Sequence, residues 1–140
     1  MKAAYLDSSV LVNQILKQVP LLMSDWRDLE NIYTSRLTRV EVLRTIDRLR
    51  VLGEINDEQV ASYIQDIDSL LEAIEELELN SKILSEASKP FLVSIKTLDA
   101  LHLATALILQ EFFAQEIIFY TYDKQLSRAA LVSGLKISSI

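Results

Sequence analysis

The clearest strand in this sequence is Glu116-Ile117-Ile118-Phe119-Tyr120-Thr121. It is almost continuously apolar, as strands are when both faces of a parallel sheet are covered. Ala3-Ala4-Tyr5-Leu6 has the same character near the start of the chain, and Ile32-Tyr33-Thr34 is a third candidate strand. Helical segments separate these strands. The sequence therefore predicts an α/β fold, with a short parallel sheet and helices on both faces.

The helices are predicted from apolar periodicity, cap residues and breakers. Gly53 suits the position that follows a helix end, and Thr97 is a natural N-cap for an apolar, buried helix. Leu135-Lys136-Ile137 is a candidate edge strand. The first predicted helix begins at Asp7. A long helix follows the cap Asn56 and carries an apolar stripe over 60–77. The other predicted helices cover 24–31, 37–52, 81–88, 97–111 and 123–132.

Length and composition bound the kind of protein. A chain of 140 residues, half of them hydrophobic, is the usual size of one domain, which we expect to span 1–140. There is no cysteine and only one histidine, which excludes disulfides and argues against a zinc site. Since the sequence shows neither a signal peptide nor an apolar run of roughly 18 residues, we expect a cytoplasmic protein without a membrane span.

The charge is unevenly distributed along the chain. The net charge of −6 argues mildly against nucleic-acid binding, which usually needs a basic surface. However, residues 54–86 hold ten acidic side chains and one basic side chain. The rest of the chain is slightly basic, so it remains compatible with an anionic substrate.

Two aspartates follow predicted strands directly. Asp7 comes after the first strand and Asp123 after the strand that ends near Tyr122. Since ligands of open α/β sheets bind beyond the carboxyl ends of the strands, both acids are candidate site residues. The simpler alternative is that each only caps a helix, which stabilises it by roughly 1 kcal/mol.

Asp99 and Glu41 lie in predicted helices. Asp99, His102 and Thr105 form a thin polar stripe on an otherwise apolar helix, and a buried carboxylate needs a partner such as a cation. Alternatively, Asp99 only complements the helix dipole, Glu41 only pairs with Arg44 three residues on, and His102 is structural.

Oxygen ligands of this kind indicate a particular metal chemistry. Carboxylates suit Mg²⁺ or Mn²⁺, and four of them in one place repel one another unless cations lie between them. Such clusters hold the ions of many metal-dependent nucleases. The sequence therefore predicts a divalent-metal site formed by Asp7, Glu41, Asp99 and Asp123.

Four segments together resemble a known family, the PIN domain. They are residues 5–12 (YLDSSVLV), 37–41 (LTRVE), 97–106 (TLDALHLATA) and 121–126 (TYDKQL). In order, spacing and length the chain is most similar to the VapC-type toxins of bacterial toxin–antitoxin pairs. This resemblance implies a PIN-like three-layer fold and an endoribonuclease that depends on Mg²⁺ or Mn²⁺.

The resemblance also implies roles for individual residues and partners. Asp7, Glu41, Asp99 and Asp123 match the family's four acidic positions, which are catalytic and bind the metal. Ser9 and Thr121 match hydroxyl positions that support these acids. The substrate would be RNA, and the partners would be a cognate antitoxin and a second copy in a homodimer.

Two surfaces are candidates for binding partners. Glu41, Arg44 and Arg48 share one stripe of their helix, so the two arginines either contact the phosphates of RNA or form a solvated face. The apolar stripe over 60–77 either packs only on the core or also offers a seam to another chain.

A second class of function remains open, namely a PIN-like module that binds RNA or protein with little or no catalysis. The presence of all four acids argues against it. An aspartyl-nucleophile phosphatase would need an acid two residues after Asp7, where Ser9 stands. Glycine-rich phosphate loops are absent, which argues against nucleotide binding.

Overall fold

A computed structural model describes residues 2–17 and 31–138, which form one sheet of five strands with six helices. The strands are β1 (Lys2–Leu6), β2 (Asn31–Ser35), β3 (Glu75–Leu77), β4 (Glu116–Tyr120) and β5 (Lys136–Ile137). The helices are α1 (Ser8–Leu16), α2 (Arg36–Val51), α3 (Asp57–Glu72), α4 (Ser81–Ala87), α5 (Thr97–Phe113) and α6 (Lys124–Val132).

The strand order is β3-β2-β1-β4-β5, and every pair is parallel. The chain moves outward from β1 through β2 to β3, and then returns to pair β4 with the other side of β1. The direction in which successive strands are added to the sheet therefore reverses between β1 and β4. In open α/β sheets, ligands bind in the crevice at this reversal, outside the carboxyl ends of the strands.

Successive residues of β1 bury opposite faces of the sheet. Ala3 and Tyr5 belong to a core that includes residues of α5 and α6, whereas Ala4 and Leu6 belong to a core formed with α1, α2 and α3. All four are fully buried. Helices thus cover both faces, and the predicted three-layer α/β fold is confirmed.

Local signals set most helix ends where the sequence predicts them. The Asn56 side chain accepts from Gln59 N while the Gln59 side chain accepts from Asn56 N, a capping box that starts α3. Gly53 follows α2 with a φ of 75°, a conformation that glycine adopts without strain. Of the helices that the structure describes, none combines the length and apolar character needed to cross a bilayer.

Two predicted elements are wrong in detail. The apolar stripe over 60–77 is not one helix, because α3 ends at Glu72 and 75–77 form the edge strand β3. The buried helix has Lys96 as its N-cap, without a side-chain cap bond, and Thr97 is its first helical residue. The predicted helix over 24–31 lies outside the described residues, except for Asn31, which begins β2.

Candidate metal and catalytic site

Asp7 is held at the carboxyl end of β1 by hydrogen bonds to both of its oxygens. Its Oδ1 accepts from Ser9 N at 3.1 Å and from Ser9 Oγ at 2.6 Å. Its Oδ2 accepts from Thr121 Oγ1 at 2.7 Å. The side chain is buried, with 3% of its surface exposed. Ser9 and Thr121 thus fix the orientation of this carboxylate, in contacts of the kind that the resemblance implies.

Asp123 follows β4 and is joined to the same network. Thr121 Oγ1 accepts from Asp123 N at 3.0 Å, and Asp123 Oδ1 accepts from Leu126 N at 2.9 Å. Asp123 therefore caps α6, just as Asp7 caps α1. Capping and a role in the site are compatible, because the cap bond of Asp123 occupies only Oδ1.

Glu41 projects from α2 towards α1 and α5. Its Oε2 accepts from Ser8 Oγ at 2.9 Å, and its Oε1 lies 2.6 Å from His102 Nε2. Arg44 instead pairs with Asp47 at 3.2 Å. The expected alternative, in which Glu41 only pairs with Arg44 on the helix surface, is therefore wrong. Glu41 connects three elements that are distant in sequence.

Asp99 lies in the first turn of α5 and is influenced by the other three acids. Burial is the main cause that raises the pKa of its carboxyl. The negative charges of Asp123, Asp7 and Glu41 raise that pKa further, while His102 lowers it. Three carboxylates from distant parts of the chain are thus near enough to Asp99 to oppose its ionisation.

Burial is also the main cause of the pKa shifts of two titratable residues around β1, Asp7 and Tyr5. It raises the pKa of the Asp7 carboxyl, although His102, Ser9 and Thr121 act in the opposite direction. It likewise raises the pKa of the Tyr5 hydroxyl well above its usual value, and the charge of Asp7 adds to this effect. Ionised Asp7 and Asp99 are therefore costly in the folded protein unless a cation is close.

These pKa shifts predict how the stability of the metal-free protein depends on pH. Since folding raises the pKa of Asp7 and Asp99, the folded state holds these two protons more tightly than the unfolded state. Their contribution is fully present below the usual pKa of 3.8 and is lost as the pH rises through the raised folded value. Urea unfolding in EDTA, repeated from pH 4 to pH 7, measures this dependence.

Asp47 and Glu116 contribute with the opposite sign, because salt bridges lower the pKa of both carboxyls. The variant Asp99→Asn separates the contribution of Asp99 to the pH dependence of stability from that of these surface groups. We expect its stability to fall less between pH 4 and pH 7 than that of the wild type. Identical pH profiles for the two proteins would contradict the assignment.

The donors suit a hard divalent cation, but they are not preassembled around one. Within residues 2–17 and 31–138, no group of three or more histidine, aspartate or glutamate side chains is arranged to hold a metal ion. Mg²⁺ keeps several waters and usually takes only one or two carboxylates from a protein. Asp7, Glu41, Asp99 and Asp123 fit that requirement as donors, and their joint role in binding a metal stays a prediction.

A cleft of about 350 Å³ opens beside two of the four acids. Its walls include Asp99, Asp123 and Lys96. Gln125, which also lines it, donates to the Ser94 carbonyl across the cleft wall. A larger cleft of about 750 Å³ lies along the segment that joins α4 to α5, and none of the four acids lines it. The smaller cleft is therefore the one that gives access to Asp99 and Asp123.

Some residues of the site do not stand out in the sequence. Ser8 and Tyr5 were not expected there, and His102 was expected to be structural, whereas its ring contacts Glu41 directly. The only local signal for Ser8 is its position next to Asp7. Arg44 and Arg48 are exposed on α2, and their contact with RNA stays a prediction.

Comparison with protein families gives one match, to the PIN domain, over residues 4–132. A search of curated proteins finds no match. The matched range contains all four acids as well as Ser8, Ser9, His102 and Thr121.

Solved structures share the fold at low sequence identity. VapBC2 from Rickettsia felis, bound to a DNA fragment from its promoter, is 14% identical with a TM-score of 0.67, covering 97% of each chain. DNA-bound VapBC from Salmonella typhimurium is 10% identical with a TM-score of 0.71, covering 99% of this chain and 98% of that one. A toxin–antitoxin complex from Klebsiella pneumoniae is 17% identical with a TM-score of 0.58, covering 97% and 96%.

Proposed function

Since the chain belongs to the PIN domain family, we propose that it is a divalent-metal-dependent endoribonuclease and the toxin of a type II toxin–antitoxin pair. The observation that carries this proposal is the position of Asp99, whose pKa is raised by burial and by the negative charges of Asp123, Asp7 and Glu41. A protein gains nothing in stability from four acids near one another. Their proximity is explained if they bind Mg²⁺ or Mn²⁺.

The four acids would have different roles in the reaction. Asp7 is rigid, because Ser9 and Thr121 hold both of its oxygens, so it would keep a fixed position during the reaction. Asp99 and Asp123 line the cleft, where a phosphodiester would enter. When bound, Mg²⁺ or Mn²⁺ would activate a water and stabilise the negative charge that develops on the phosphate. A histidine base and a covalent nucleophile are then unnecessary.

Binding of RNA would use the basic face of α2. Arg44 and Arg48 are exposed on the helix that carries Glu41, so they could contact phosphates on either side of the cut. Arg44 is already paired with Asp47. An RNA phosphate would therefore have to replace that carboxylate, which makes Arg48 the better of the two candidates.

The assembly we propose is a homodimer held inactive by an antitoxin protein in the cytoplasm. Support for the antitoxin comes from structural neighbours described as VapBC and as a toxin–antitoxin complex. The acidic segment 54–86 adds a physical argument. An antitoxin that binds there would need basic residues, since complementary charge favours association.

The test is cleavage of a mixed total-RNA pool by purified, antitoxin-free protein, with Mg²⁺ or Mn²⁺ in one set of reactions and EDTA in the other. We expect discrete fragments that appear only with metal. Glu58→Gln is a matched control that should cleave like wild type, because it removes a carboxylate from the exposed first turn of α3. The absence of metal-dependent fragments with the wild type would contradict the proposal.

A non-catalytic PIN-like module that binds RNA or protein is the second candidate. One observation favours it: Ser8 and His102 engage both oxygens of Glu41, and the described residues contain no preassembled metal site. This candidate predicts RNA or antitoxin binding that is unchanged by EDTA. Binding without cleavage by metal-loaded wild type would favour it over the nuclease.

A further inference from the structure

The single histidine of the chain is buried between three elements of the site. Only 1% of the surface of His102 is exposed. Its Nε2 lies 2.6 Å from Glu41 Oε1 on α2, and its Nδ1 lies 2.7 Å from the hydroxyl of Tyr5 on β1. These contacts span 61 and 97 residues of sequence. Tyr5, His102 and Glu41 thus form one hydrogen-bonded chain from the sheet core to the acid cluster.

The direction of these hydrogen bonds follows from the chemistry of the groups. A carboxylate only accepts, so His102 Nε2 must carry the hydrogen that it shares with Glu41. In a neutral ring, Nδ1 then has no hydrogen and accepts from the Tyr5 hydroxyl. The carboxylate of Glu41 therefore selects the form of the ring, and the Tyr5 hydroxyl, which can donate, holds that form at its other nitrogen.

The rings themselves cannot easily move. Tyr5 is fully buried and stacks on Phe119, with ring centres 5.5 Å apart and planes at 12°. His102 meets Tyr5 edge to face, with centres 5.9 Å apart. By contrast, among residues 2–17 and 31–138 the other oxygen of Glu41 has only the Ser8 hydroxyl, which can rotate, as a hydrogen-bond partner. Of the two oxygens, Oε2 is therefore the one that can exchange its protein partner for a ligand.

We propose that Tyr5 and His102 are positioning residues, which anchor Glu41 through Oε1 and leave Oε2 to the metal ion. This inference rests on the proposed metal site but not on cleavage of RNA. Groups that orient metal-binding side chains typically change metal affinity or activity by about 10–100-fold when they are removed. A purely structural role for the pair would lower stability and leave metal affinity unchanged.

Two neutral amides at position 102 separate these roles. The amide nitrogen of Gln reaches about as far as Nε2 and can still donate to Glu41, whereas Asn reaches only about as far as Nδ1. We expect His102→Asn to weaken Mn²⁺ binding by about 10–100-fold, and His102→Gln to lose several-fold less. Electron paramagnetic resonance of free Mn²⁺ measures the affinity without any substrate, and thermal unfolding in EDTA verifies that both variants fold cooperatively.

The variant Tyr5→Phe deletes one oxygen atom and so tests the hydrogen bond between Tyr5 and His102. We expect weaker Mn²⁺ binding here too, because Nδ1 of His102 then loses the hydrogen bond that holds the ring in place against Glu41. Affinity equal to wild type in Tyr5→Phe and in a folded His102→Asn would overturn the proposal. An equal loss in both variants at position 102 would overturn it as well, since it would show that only the shape of the ring matters.

Nuclear magnetic resonance of the wild type gives an independent test, even if the variants at position 102 fail to fold. Because the chain has one histidine, every imidazole nitrogen signal belongs to His102. We expect a slowly exchanging hydrogen on Nε2, and a change in its signal when Mg²⁺ is added. An Nε2 without hydrogen would overturn the proposal.

The two proposals fail in different ways. If Mn²⁺ binds and the Tyr5 and His102 variants weaken it, but no RNA is cut, the positioning role stands and the nuclease is wrong. If RNA is cut with metal and the variants bind Mn²⁺ like wild type, the nuclease stands and the positioning role is wrong.

Discussion

Replacing Asp99 with Asn should lower metal-dependent RNA cleavage by more than about 100-fold, because even the groups that only orient metal-binding side chains contribute about 10–100-fold. The substitution removes the charge of the acid that lines the cleft and leaves its size nearly unchanged. Initial rates on one purified RNA, at saturating Mg²⁺ or Mn²⁺, measure the effect. Asp66→Asn, on the exposed part of α3, removes the same charge from the surface and should cleave like wild type.

The same substitution should make the metal-free protein more stable. Asp99 is partly buried, and the charges of Asp123, Asp7 and Glu41 oppose its ionisation. Removing that charge relieves the repulsion, so we expect a gain of about 1 kcal/mol, as for other favourable charge substitutions. Adding Mn²⁺ should raise the Tm of wild type more than that of the variant. Cleavage within a few-fold of wild type, or a lower stability in EDTA, would contradict the role of Asp99.

The largest expected effect on stability is that of Phe119→Ala. Phe119 is fully buried in the middle of β4, where it belongs to the core with α5 and α6 and stacks on Tyr5. Truncating a buried phenylalanine to alanine typically costs about 3–5 kcal/mol, because contacts are lost and a cavity remains. Urea denaturation of the metal-free protein measures this loss as a lower midpoint.

Phe112→Ala is the matched control for this experiment. Phe112 lies near the end of α5 with 76% of its surface exposed. Removing its ring should change the free energy of unfolding by no more than about 0.5 kcal/mol, as is usual for surface substitutions. Similar losses for the two phenylalanines would mean that the sheet is not packed as described.

Local sequence signals were sufficient for most of the fold. Strands β1 and β4 are short apolar runs, and Asn56, Asp7 and Asp123 are cap residues whose side chains bond to nearby backbone N–H groups. These interactions involve residues close in sequence, so a sequence pattern is enough to predict them. The parallel sheet then follows from alternating strands and helices.

The errors in the prediction occur where local patterns are ambiguous. Ile74 and Leu77 continue the apolar spacing of α3, although the helix has already ended at Glu72. The backbone of 75–77 instead pairs with β2, because Tyr33, Thr34 and Ser35 offer an unpaired strand edge. A three-residue strand of this kind is determined by its neighbour and not by its own composition.

The candidate site was predicted from the ends of strands, and its detail depends on packing. Asp7 and Asp123 follow two strands of one parallel sheet, so their position at the same edge follows from the sequence, whereas the pairing of β1 with β4 makes them neighbours. The partners of Glu41 do not follow from it, because Ser8 and His102 are 33 and 61 residues away. Only the stacking of helices on both faces of β1 brings Glu41, His102 and Tyr5 together, since hydrogen bonds between distant residues form only where the packed core positions their side chains.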